Sequence, residues 1–354
     1  MNISLGDACS KVAYEWAQET FSTRQNRPGM LNASLPSSFA NLVYFGSQQI
    51  AIASDGIGTK IELAERTGIY DTLGFDLVAM VIDDIVCVGA IPTNLSNILD
   101  VDNLDNSVVD ALMRGLHCAA QEASIAVTGG EIAELGARIG GYGQGMHFNW
   151  CATGIGYLPE GQQPLDGSQI HEGDIVLALR SRGFRSNGFS LIRSIMQQAF
   201  GNLWHEEEYQ PGMTWGEILL TPSRLYTPGI VDLFENNIVP HGIVHVTGGS
   251  VAGNLRRILR NNHLGADLPE LCDPFPVMKA LQSIGGVSEE QAYELWNMGN
   301  GMLVIVDEKD AEVCKRCLEM KDYQVQCAGT VIKEPQITIV TKSLERKILK
   351  YKLW

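Results

Sequence analysis

Residue types that can handle phosphate occur together in Ser-Asp-Gly-Ile-Gly-Thr-Lys, residues 54–60. Glycines let backbone N–H groups approach a phosphate closely, and a lysine adds a point charge. The stretch lacks the Walker spacing of four residues between its glycines and the Gly-Lys-Ser/Thr ending. It therefore predicts either a tight turn with a solvated lysine or a phosphate-binding turn. The binding residues of such a turn would be Asp55, Gly56, Gly58, Thr59 and Lys60.

Two adjacent acids, Asp83 and Asp84, lie in an apolar segment that predicts a long helix over residues 71–89. Buried carboxylates without partners are costly and tend to become neutral. The two side chains point about 100° apart, whereas Asp76, seven residues before Asp83, shares its helix face. One acid is therefore predicted to reach a cation or a donor. Magnesium with nucleotide oxygens is one interpretation, and a helix cap or a buried arginine partner is the other.

Further glycine clusters carry polar residues in both halves of the chain. In one, Glu131 either opens a helix, where its charge suits the positive N-terminal end, or joins Glu134 at a nucleotide site. Residues 185–188 precede an apolar helix, which predicts an anion site or an ordinary N-cap. Together the clusters predict a cleft between domains that holds phosphates. The binding residues expected from them are Gly129, Gly130, Glu131, Ser186, Asn187, Thr247 and Gly248.

Strands and helices must position these motifs, and the hydrophobic patterns predict both. Residues 48–54, 174–181, 302–307 and 326–332 read as strands. An amphipathic helix begins near Asn106, where Asp105 or Asn106 can cap it. The mixture predicts an α/β (α+β) protein. A polar, turn-rich stretch over 159–174 predicts a boundary between domains 1–166 and 167–345, and the weakly patterned first forty residues predict an arm or lid.

Length and composition limit the classes of function. A chain of 354 residues exceeds what one hydrophobic core usually serves, so two domains are expected. The excess of 41 acidic over 26 basic residues excludes a nonspecific nucleic-acid binder. No apolar run approaches the roughly 20 residues of a membrane span, and no signal peptide is apparent.

The eight cysteines are scattered, which predicts free thiols in a reducing cytoplasm. Cys314 and Cys317 form a C-x-x-C pair on one face of a predicted helix. No second ligand pair follows at the spacing of a zinc site, so a buried structural role is the interpretation.

Taken in order, the motifs resemble the aminoimidazole ribonucleotide synthetase family (phosphoribosylformylglycinamidine cyclo-ligase, PurM). Each motif alone is weak, but the ordered set is specific and covers about residues 54–332. The matching stretches are SDGIGTK, DTLGFDLVAM followed by DDIVCVGA, GGEIAE, RSNGFSLIR, LLTPSRLY, HVTGGS and WNMGNGM.

The resemblance implies a PurM-like fold, in which an N-terminal mixed sheet with helices forms a barrel across a homodimer and a C-terminal α/β domain follows. It also implies ATP-dependent ring closure in purine biosynthesis. ATP phosphorylates the formyl oxygen of formylglycinamidine ribonucleotide, an internal nitrogen attacks, and phosphate leaves. The products are aminoimidazole ribonucleotide, ADP and phosphate.

Phosphoryl transfer asks mainly for positioning and charge neutralisation. Under the resemblance, Lys60 neutralises phosphate while Asp55 and Asp84 hold Mg²⁺. His245 is the candidate for moving a proton. The catalytic residues expected are therefore Lys60, Asp84 and His245, with ATP and Mg²⁺ as cofactors.

Some positions depart from the family pattern. Asp83 stands where the family has asparagine, Arg185 where it has histidine, and Ser250 where it has a third glycine. Residues 36–42 replace a Gly-Gly-Phe stretch. Two alternative functions stay open: another ATP-using member of the superfamily, such as a thiamine monophosphate kinase, and a nucleotide-binding paralogue without turnover. A selenophosphate synthetase is disfavoured because no Cys-Lys pair precedes residue 54.

Overall fold

The computed structural model describes residues 3–33, 35 and 38–353, and the first half of the chain builds one mixed sheet. Its strands are Met30–Leu31 (β1), Asn41–Phe45 (β2), Gln48–Gly56 (β3), Ile91–Val101 (β4), Ala126–Glu134 (β5) and Phe148–Tyr157 (β6). They pair in the order β1–β2–β3–β6–β4–β5. Neighbours are antiparallel except β4 and β5, which run parallel.

The helices of this half are Ile3–Glu19 (α1), Ile61–Thr67 (α2), Leu73–Val86 (α3) and Asn106–Glu122 (α4). Helix α3 packs on one face of the sheet against β3 and β6, and α4 packs on α3. Glycines in β6 allow this close approach. A Cβ atom at Gly154 would lie 2.8–3.0 Å from side-chain atoms of α3. The nearly all-apolar sequence of α3 follows from this burial on several sides.

The second half builds a seven-stranded sheet. Its strands are Ile175–Arg180 (β7), Gly242–His245 (β10), Gly265–Leu268 (β11), Asn300–Val306 (β12), Val325–Ile332 (β13), Gln336–Val340 (β14) and Ile348–Lys352 (β15). They pair in the order β10–β12–β7–β13–β11–β14–β15. Glu208–Gln210 (β8) and Met213–Thr214 (β9) form a separate two-stranded ladder. The last strand carries this sheet past residue 345, where the expected second domain ended.

The helices of the second half are Phe189–Phe200 (α5), Trp215–Leu219 (α6), Thr227–Glu235 (α7), Ser250–Leu259 (α8), Pro276–Gly285 (α9), Glu289–Leu295 (α10) and Ala311–Met320 (α11). Helix α3 also contacts α7 and β10, so it lies between the two sheets. Its acids can therefore reach residues from both halves of the chain.

Most of the expected elements are confirmed, and one is wrong. The long apolar helix is α3, and Asp105 caps α4 by accepting hydrogen bonds from the N–H groups of Ser107 and Val108. Of the two alternatives for Glu131, the helix start does not form, because residues 126–134 are the edge strand β5. Parallel pairing with β4 satisfies the backbone there, and the two glycines extend rather than turn.

Other expectations concern the first forty residues and the cysteines. Helix α1 occupies residues 3–19 of the expected arm, and its Trp16 side chain is 75% exposed. Cys314 and Cys317 are buried on α11, and all eight cysteines are free thiols. In the described ranges 3–33, 35 and 38–353, none of the helices has the length and apolar character needed to cross a membrane.

Candidate active site

Helix α3 separates its acids into two sets. Asp76 and Asp83 are fully buried and face residues 221–227 of the second half, whereas the side chain of Asp84 is 18% exposed. The seven-residue spacing of Asp76 and Asp83 places both on one face, as expected. Asp76 accepts hydrogen bonds from the backbone N–H and the hydroxyl of Ser223. Asp76 and Asp83 therefore bind the second half of the chain, whereas Asp84 is partly exposed to solvent.

Asp83 has the structural role that was one of the two interpretations of the acid pair, since it binds a helix N-terminus and a buried arginine. Its Oδ1 accepts hydrogen bonds from the backbone N–H groups of Tyr226 and Thr227, at 3.0 and 2.9 Å, and so binds the first turn of α7. Its Oδ2 lies 3.2 Å from Nη2 of Arg185. A carboxylate at a helix N-terminus with a buried guanidinium partner is stable as an anion. Asp83 therefore has no oxygen free for a metal.

Lys60 lies in a buried ion pair. Its Nζ is 2.7 Å from Oδ2 of Asp76 and donates to the carbonyl oxygen of Thr221 at 2.8 Å. The side chain has no exposed surface. Desolvation lowers the pKa of Lys60, and the charge of Asp76 opposes that shift. In this conformation the ammonium group is engaged by Asp76 and Thr221, and the expected contact of Lys60 with phosphate stays a prediction.

Asp84 and Arg185 are joined through a buried imidazole. Nδ1 of His245 lies 2.7 Å from Oδ1 of Asp84, and its Nε2 lies 2.6 Å from Nη2 of Arg185. Since a guanidinium can only donate, Nε2 accepts and Nδ1–H donates to Asp84. Desolvation, and then the charge of Arg185, lower the pKa of His245 to about 3. The ring is neutral at pH 7, and both of its nitrogens are engaged.

Asp55 and Asp84 are two further acids with strongly raised pKa values. Desolvation raises the pKa of Asp84 to about 7, against the charges of Arg257 and Arg185. Desolvation also raises the pKa of Asp55 to about 6; the N–H of Gly56 opposes the rise, and the charge of Asp84 adds to it. Asp55 lies on β3 and Asp84 on α3, and these two elements pack against each other.

The pair fits a hard divalent cation. Two neighbouring carboxylates, each with one oxygen outside the hydrogen bonds to Gly56 and His245, are a donor set that Mg²⁺ uses together with nucleotide oxygens. A bound cation would favour the ionised carboxylates and so reverse their raised pKa values. Asp55 and Asp84 are thus the residues that could hold Mg²⁺.

Two glycine turns from the second half meet beside α3. The amide of Asn187 lies 3.9 Å from the sulfur of Met80. A Cβ at Gly248 would lie 3.5 Å from the Asn187 side-chain oxygen. These turns lead into α5 and α8, whose N-caps Gly188 and Gly249 have positive φ angles of 79° and 90°. Both helix N-termini therefore approach one region, where anions are favoured.

The remaining residues of the expected site lie around this region. Ser186 is buried, and its hydroxyl has no hydrogen-bond partner among the described residues. The hydroxyl of Thr247 donates to Asn254, 3.4 Å away. In the first half, Gly58 has a φ of 71° in the turn after β3, and the Thr59 hydroxyl is 3.4 Å from that of Ser190 on α5.

Gly129, Gly130 and Glu131 lie on β5, with exposed side chains and backbone. A Cβ at Gly130 would lie 2.8 Å from both Nδ2 and the carbonyl oxygen of Asn97, so this position requires glycine. Trp150 fixes Asn97 from the other side by donating from Nε1 at 2.9 Å. Nothing in the described contacts links these three residues to Asp84.

Two arginines near Asp84 were not expected from the sequence. Arg185 was assigned to an anion-binding turn, but its buried side chain serves Asp83 and His245. Arg257 is close enough to lower the pKa of Asp84, and its guanidinium lies 4.8 Å from the ring centre of Phe39. Phe39 belongs to the stretch that replaces Gly-Gly-Phe; Pro36 and Ser37 of that stretch lie outside the described residues. The sequence did contain a signal for the pairing of Arg185 with Asp83, because both positions depart from the family pattern.

Comparisons with known proteins agree with this arrangement. Residues 39–156 match the family model of the AIR synthase related protein N-terminal domain, and residues 171–342 match that of its C-terminal domain. The chain belongs to the AIR synthase family. The PurM-like two-part α/β fold expected from the motifs is therefore confirmed.

Curated relatives are similar over most of their length. A phosphoribosylformylglycinamidine cyclo-ligase of Methanobrevibacter smithii is 36% identical over 86% of this chain and 86% of its own. The enzyme of the same name from Methanocaldococcus jannaschii is 30% identical over 95% of this chain and 91% of its own. This protein is thus an ATP-dependent cyclo-ligase, like these relatives.

Solved structures share the fold at low identity. HypE in a HypE–HypF complex superposes with a TM-score of 0.61, at 18% identity, over 89% of this chain and 93% of that one. PurL of T. maritima complexed with ATP gives 0.57 at 14% identity, over 90% of this chain and 47% of that one.

Proposed function

We propose that this protein converts formylglycinamidine ribonucleotide and ATP into aminoimidazole ribonucleotide, ADP and phosphate, in de novo purine biosynthesis. The observation that carries the proposal is the match to enzymes named phosphoribosylformylglycinamidine cyclo-ligase over 86% and 95% of the chain. The cleft acids and helix N-termini suit a reaction in which phosphate moves from a nucleotide to an amide oxygen.

The proposed work of the chain is positioning. Asp55 and Asp84 would hold Mg²⁺, which neutralises nucleotide charge when bound. The N–H groups that open α5 and α8, with Ser186 and Asn187 beside them, would bind phosphate oxygens. Holding the internal nitrogen next to the activated amide carbon then makes ring closure intramolecular.

His245 suits a positioning role better than proton transfer. Its Nε2 is occupied by Arg185 and its Nδ1–H by Asp84, so a neutral ring has no free site for a substrate proton. The imidazole instead fixes the orientation of the Asp84 carboxylate. We therefore assign His245 to holding a metal-binding acid, in the way that carboxylates and imidazoles orient metal ligands in other proteins.

The experiment supplies ATP, Mg²⁺ and formylglycinamidine ribonucleotide and measures both ADP and the diazotisable aminoimidazole product. We expect equal amounts of both. Asp84→Asn keeps an acceptor for His245 but loses a charge, so kcat/KM should fall more than tenfold and the Mg²⁺ requirement should rise. Asp110→Asn, on the exposed face of α4, is the matched control and should keep the wild-type rate.

Other outcomes separate the alternatives. ADP formed with thiamine monophosphate, and not with formylglycinamidine ribonucleotide, would establish a kinase. Tight ATP binding without turnover on either substrate would establish a nucleotide-binding paralogue. Asp84→Asn with unchanged kcat/KM and Mg²⁺ dependence would remove Asp84 from the site.

We further propose that the protein is a homodimer. The sheet face opposite α3 exposes a group of apolar side chains, and monomeric proteins rarely leave such a group in contact with water. The exposed side chains are Phe45 (53%), Ile52 (37%), Ile98 (47%), Ile155 (41%) and Tyr157 (38%). Ile52 and Ile155 are directly paired across β3 and β6, so the apolar surface is continuous. A second copy of this face is self-complementary under two-fold symmetry.

The proposal also covers the domain boundaries and the cellular location of the protein. Residues 1–166 and 167–345 are proposed as the domains, with β15 extending the second to residue 352. We also propose cytoplasmic location without membrane or nucleic-acid partners, which the free thiols and the net charge of −15 support.

A further inference from the structure

The loop before β7 and the start of β10 bring two histidines and an acid together. One ligand atom each from His171, Asp174 and His241 lie within 4.8 Å of one another. Nδ1 of His241 is 2.7 Å from Oδ2 of Asp174, and the two imidazole ring centres are 5.6 Å apart. The cluster belongs to none of the motifs assigned to the cyclo-ligase reaction.

The sheet holds two of these residues firmly. The carbonyl oxygen of Asp174 accepts from the N–H of Val331 at 2.8 Å, and the N–H of His241 donates to Ile305 at 2.8 Å. Asp174 is 5% exposed, and its carboxylate also accepts from the N–H of His171 at 2.9 Å. The His171 side chain is exposed and can rotate. Two fixed donors and one adjustable donor can close around an ion.

We propose that His171, Asp174 and His241 bind one divalent transition-metal ion of the Zn²⁺ type. Imidazole and carboxylate donors about 2.1 Å from zinc in tetrahedral geometry lie about 3.4 Å apart. If Nδ1 of His241 and Oδ2 of Asp174 both bind the ion, their 2.7 Å hydrogen bond is replaced by metal contacts and the two atoms separate by about 0.7 Å. The remaining donor distances, within 4.8 Å, need to shorten by at most about 1.4 Å, and the exposed His171 side chain is free to move. Three protein ligands leave a fourth position for water.

The donor set separates this site from the magnesium acids. Mg²⁺ prefers oxygen ligands, whereas imidazole suits zinc and its neighbours in the transition series. His241 and His245 begin and end the same segment, four residues apart, which is about 13 Å along a strand. The ion would therefore bind away from Asp84 and fasten the loop before β7 to β10.

Two further carboxylates lie near the histidines, and each has a lysine partner. Asp307 follows β12, which lies between β7 and β10 in the sheet. Its pKa is lowered by the N–H and ammonium groups of Lys309 and, to a smaller extent, by the charge of His241. Glu172 lies in the same loop as His171 and pairs with Lys333 at 2.7 Å. The proposed site therefore depends on its own three donors and not on a surplus of negative charge around it.

The test is calorimetric titration of the full chain with Zn²⁺ in excess Mg²⁺. The exposed thiols Cys9, Cys118 and Cys327 are first replaced by serine, because they could bind zinc themselves. We expect one ion per chain with micromolar or tighter affinity. His171→Ala should weaken binding at least tenfold, and His117→Ala, an exposed histidine on α4, should leave it within twofold.

A spectroscopic readout tests the ligand identity. Co²⁺ in the same site should give visible d–d bands without the near-ultraviolet band of thiolate ligation, and these should vanish in His171→Ala. Zn²⁺ should also raise the Tm of the protein with the three serine replacements by about 3 °C or more. It should leave the Tm of the His171→Ala variant of that protein unchanged. Zinc binding unaffected by His171→Ala, or absent at micromolar zinc, would overturn the proposal. Neither result depends on cyclo-ligase activity.

Discussion

Buried charges in this protein occur as matched sets. Lys60 pairs with Asp76, and Arg185 pairs with Asp83, all without exposed side-chain surface. Removing one partner of such a pair leaves an uncompensated buried charge, which costs much more than the pair contributes. Substitutions at these positions therefore report first on stability and only then on catalysis.

Lys60→Met should lower the free energy of unfolding by about 3–5 kcal/mol, because the carboxylate of Asp76 loses its counter-charge. Urea denaturation measures this loss. Lys11→Met, in an exposed pair with Glu15 at 3.9 Å, is the control and should change stability by no more than about 0.5 kcal/mol. A Lys60→Met protein with wild-type stability but no turnover would instead place Lys60 on the phosphate.

We expect the effects of Asp83 and Arg185 on stability to be coupled. Asp83→Asn alone leaves Arg185 buried without its carboxylate, and Arg185→His alone leaves Asp83 without its guanidinium. The double variant restores the family's asparagine and histidine at both positions. We expect it to be more stable than the two single effects predict, with a coupling free energy of about 2 kcal/mol, measured by a double-mutant cycle. Additive effects would contradict the pairing.

At the level of elements, α3 is the organising helix. Close packing against α4 depends on glycines, because a Cβ at Gly74 would lie 2.1 Å from backbone atoms of Gly115 and Leu116. The same helix presents Asp84 to the cleft and Asp76 and Asp83 to the second half. A shift of α3 would therefore displace all three acids together.

Gly115→Ala should destabilise the protein by about 1–3 kcal/mol through overpacking, because its Cβ would meet the carbonyl oxygen of Asp71. The Tm from thermal melts followed by circular dichroism measures it. Gly253→Ala, in helix α8 with no neighbour within 4 Å, should be neutral or stabilising by up to about 1 kcal/mol. Equal Tm values for both variants would refute the packing argument.

The sequence predicted local elements well and long-range partners poorly. Apolar periodicity located α3, and a single capping residue located the start of α4. Strand β5 was misread because its glycines suggest a turn, while its parallel pairing with β4 is a tertiary contact. The partners of Asp83 lie 143 and 144 residues away. Family motifs indicated Asp55 and Asp84, but burial of Lys60 depends on packing that no local pattern records.

At the scale of the molecule, the sheet face opposite α3 exposes a continuous set of apolar side chains. Its apolar side chains come from four strands, and a hollow on it is lined by Ser54, Asp55, Ser96 and Cys151 among others. A subunit interface there would include Asp55, one of the two residues proposed to hold Mg²⁺.

Ile155→Lys should convert the protein to single chains, because a charged side chain in the centre of this face opposes burial. Sedimentation should show twice 38.7 kDa for the parent and 38.7 kDa for the variant. Ile348→Lys, an exposed isoleucine on β15 (65%), should keep the parent mass. A parent protein that sediments as a single chain at micromolar concentration would contradict the dimer.

The attachment of α3 and Lys60 to residues 221–227 also limits how a ligand can enter. The bonds to Ser223, Tyr226 and Thr227 are buried, the bond to Thr221 is partly buried, and each is charged at one end. Opening the two halves like a clamshell would break them all and admit water to two ion pairs. Rigid-body hinging is therefore unfavourable, and nucleotide access has to come from rearrangement of surface loops. Hydrogen exchange should accordingly be slow at the amides of Tyr226 and Thr227 whether or not nucleotide is bound.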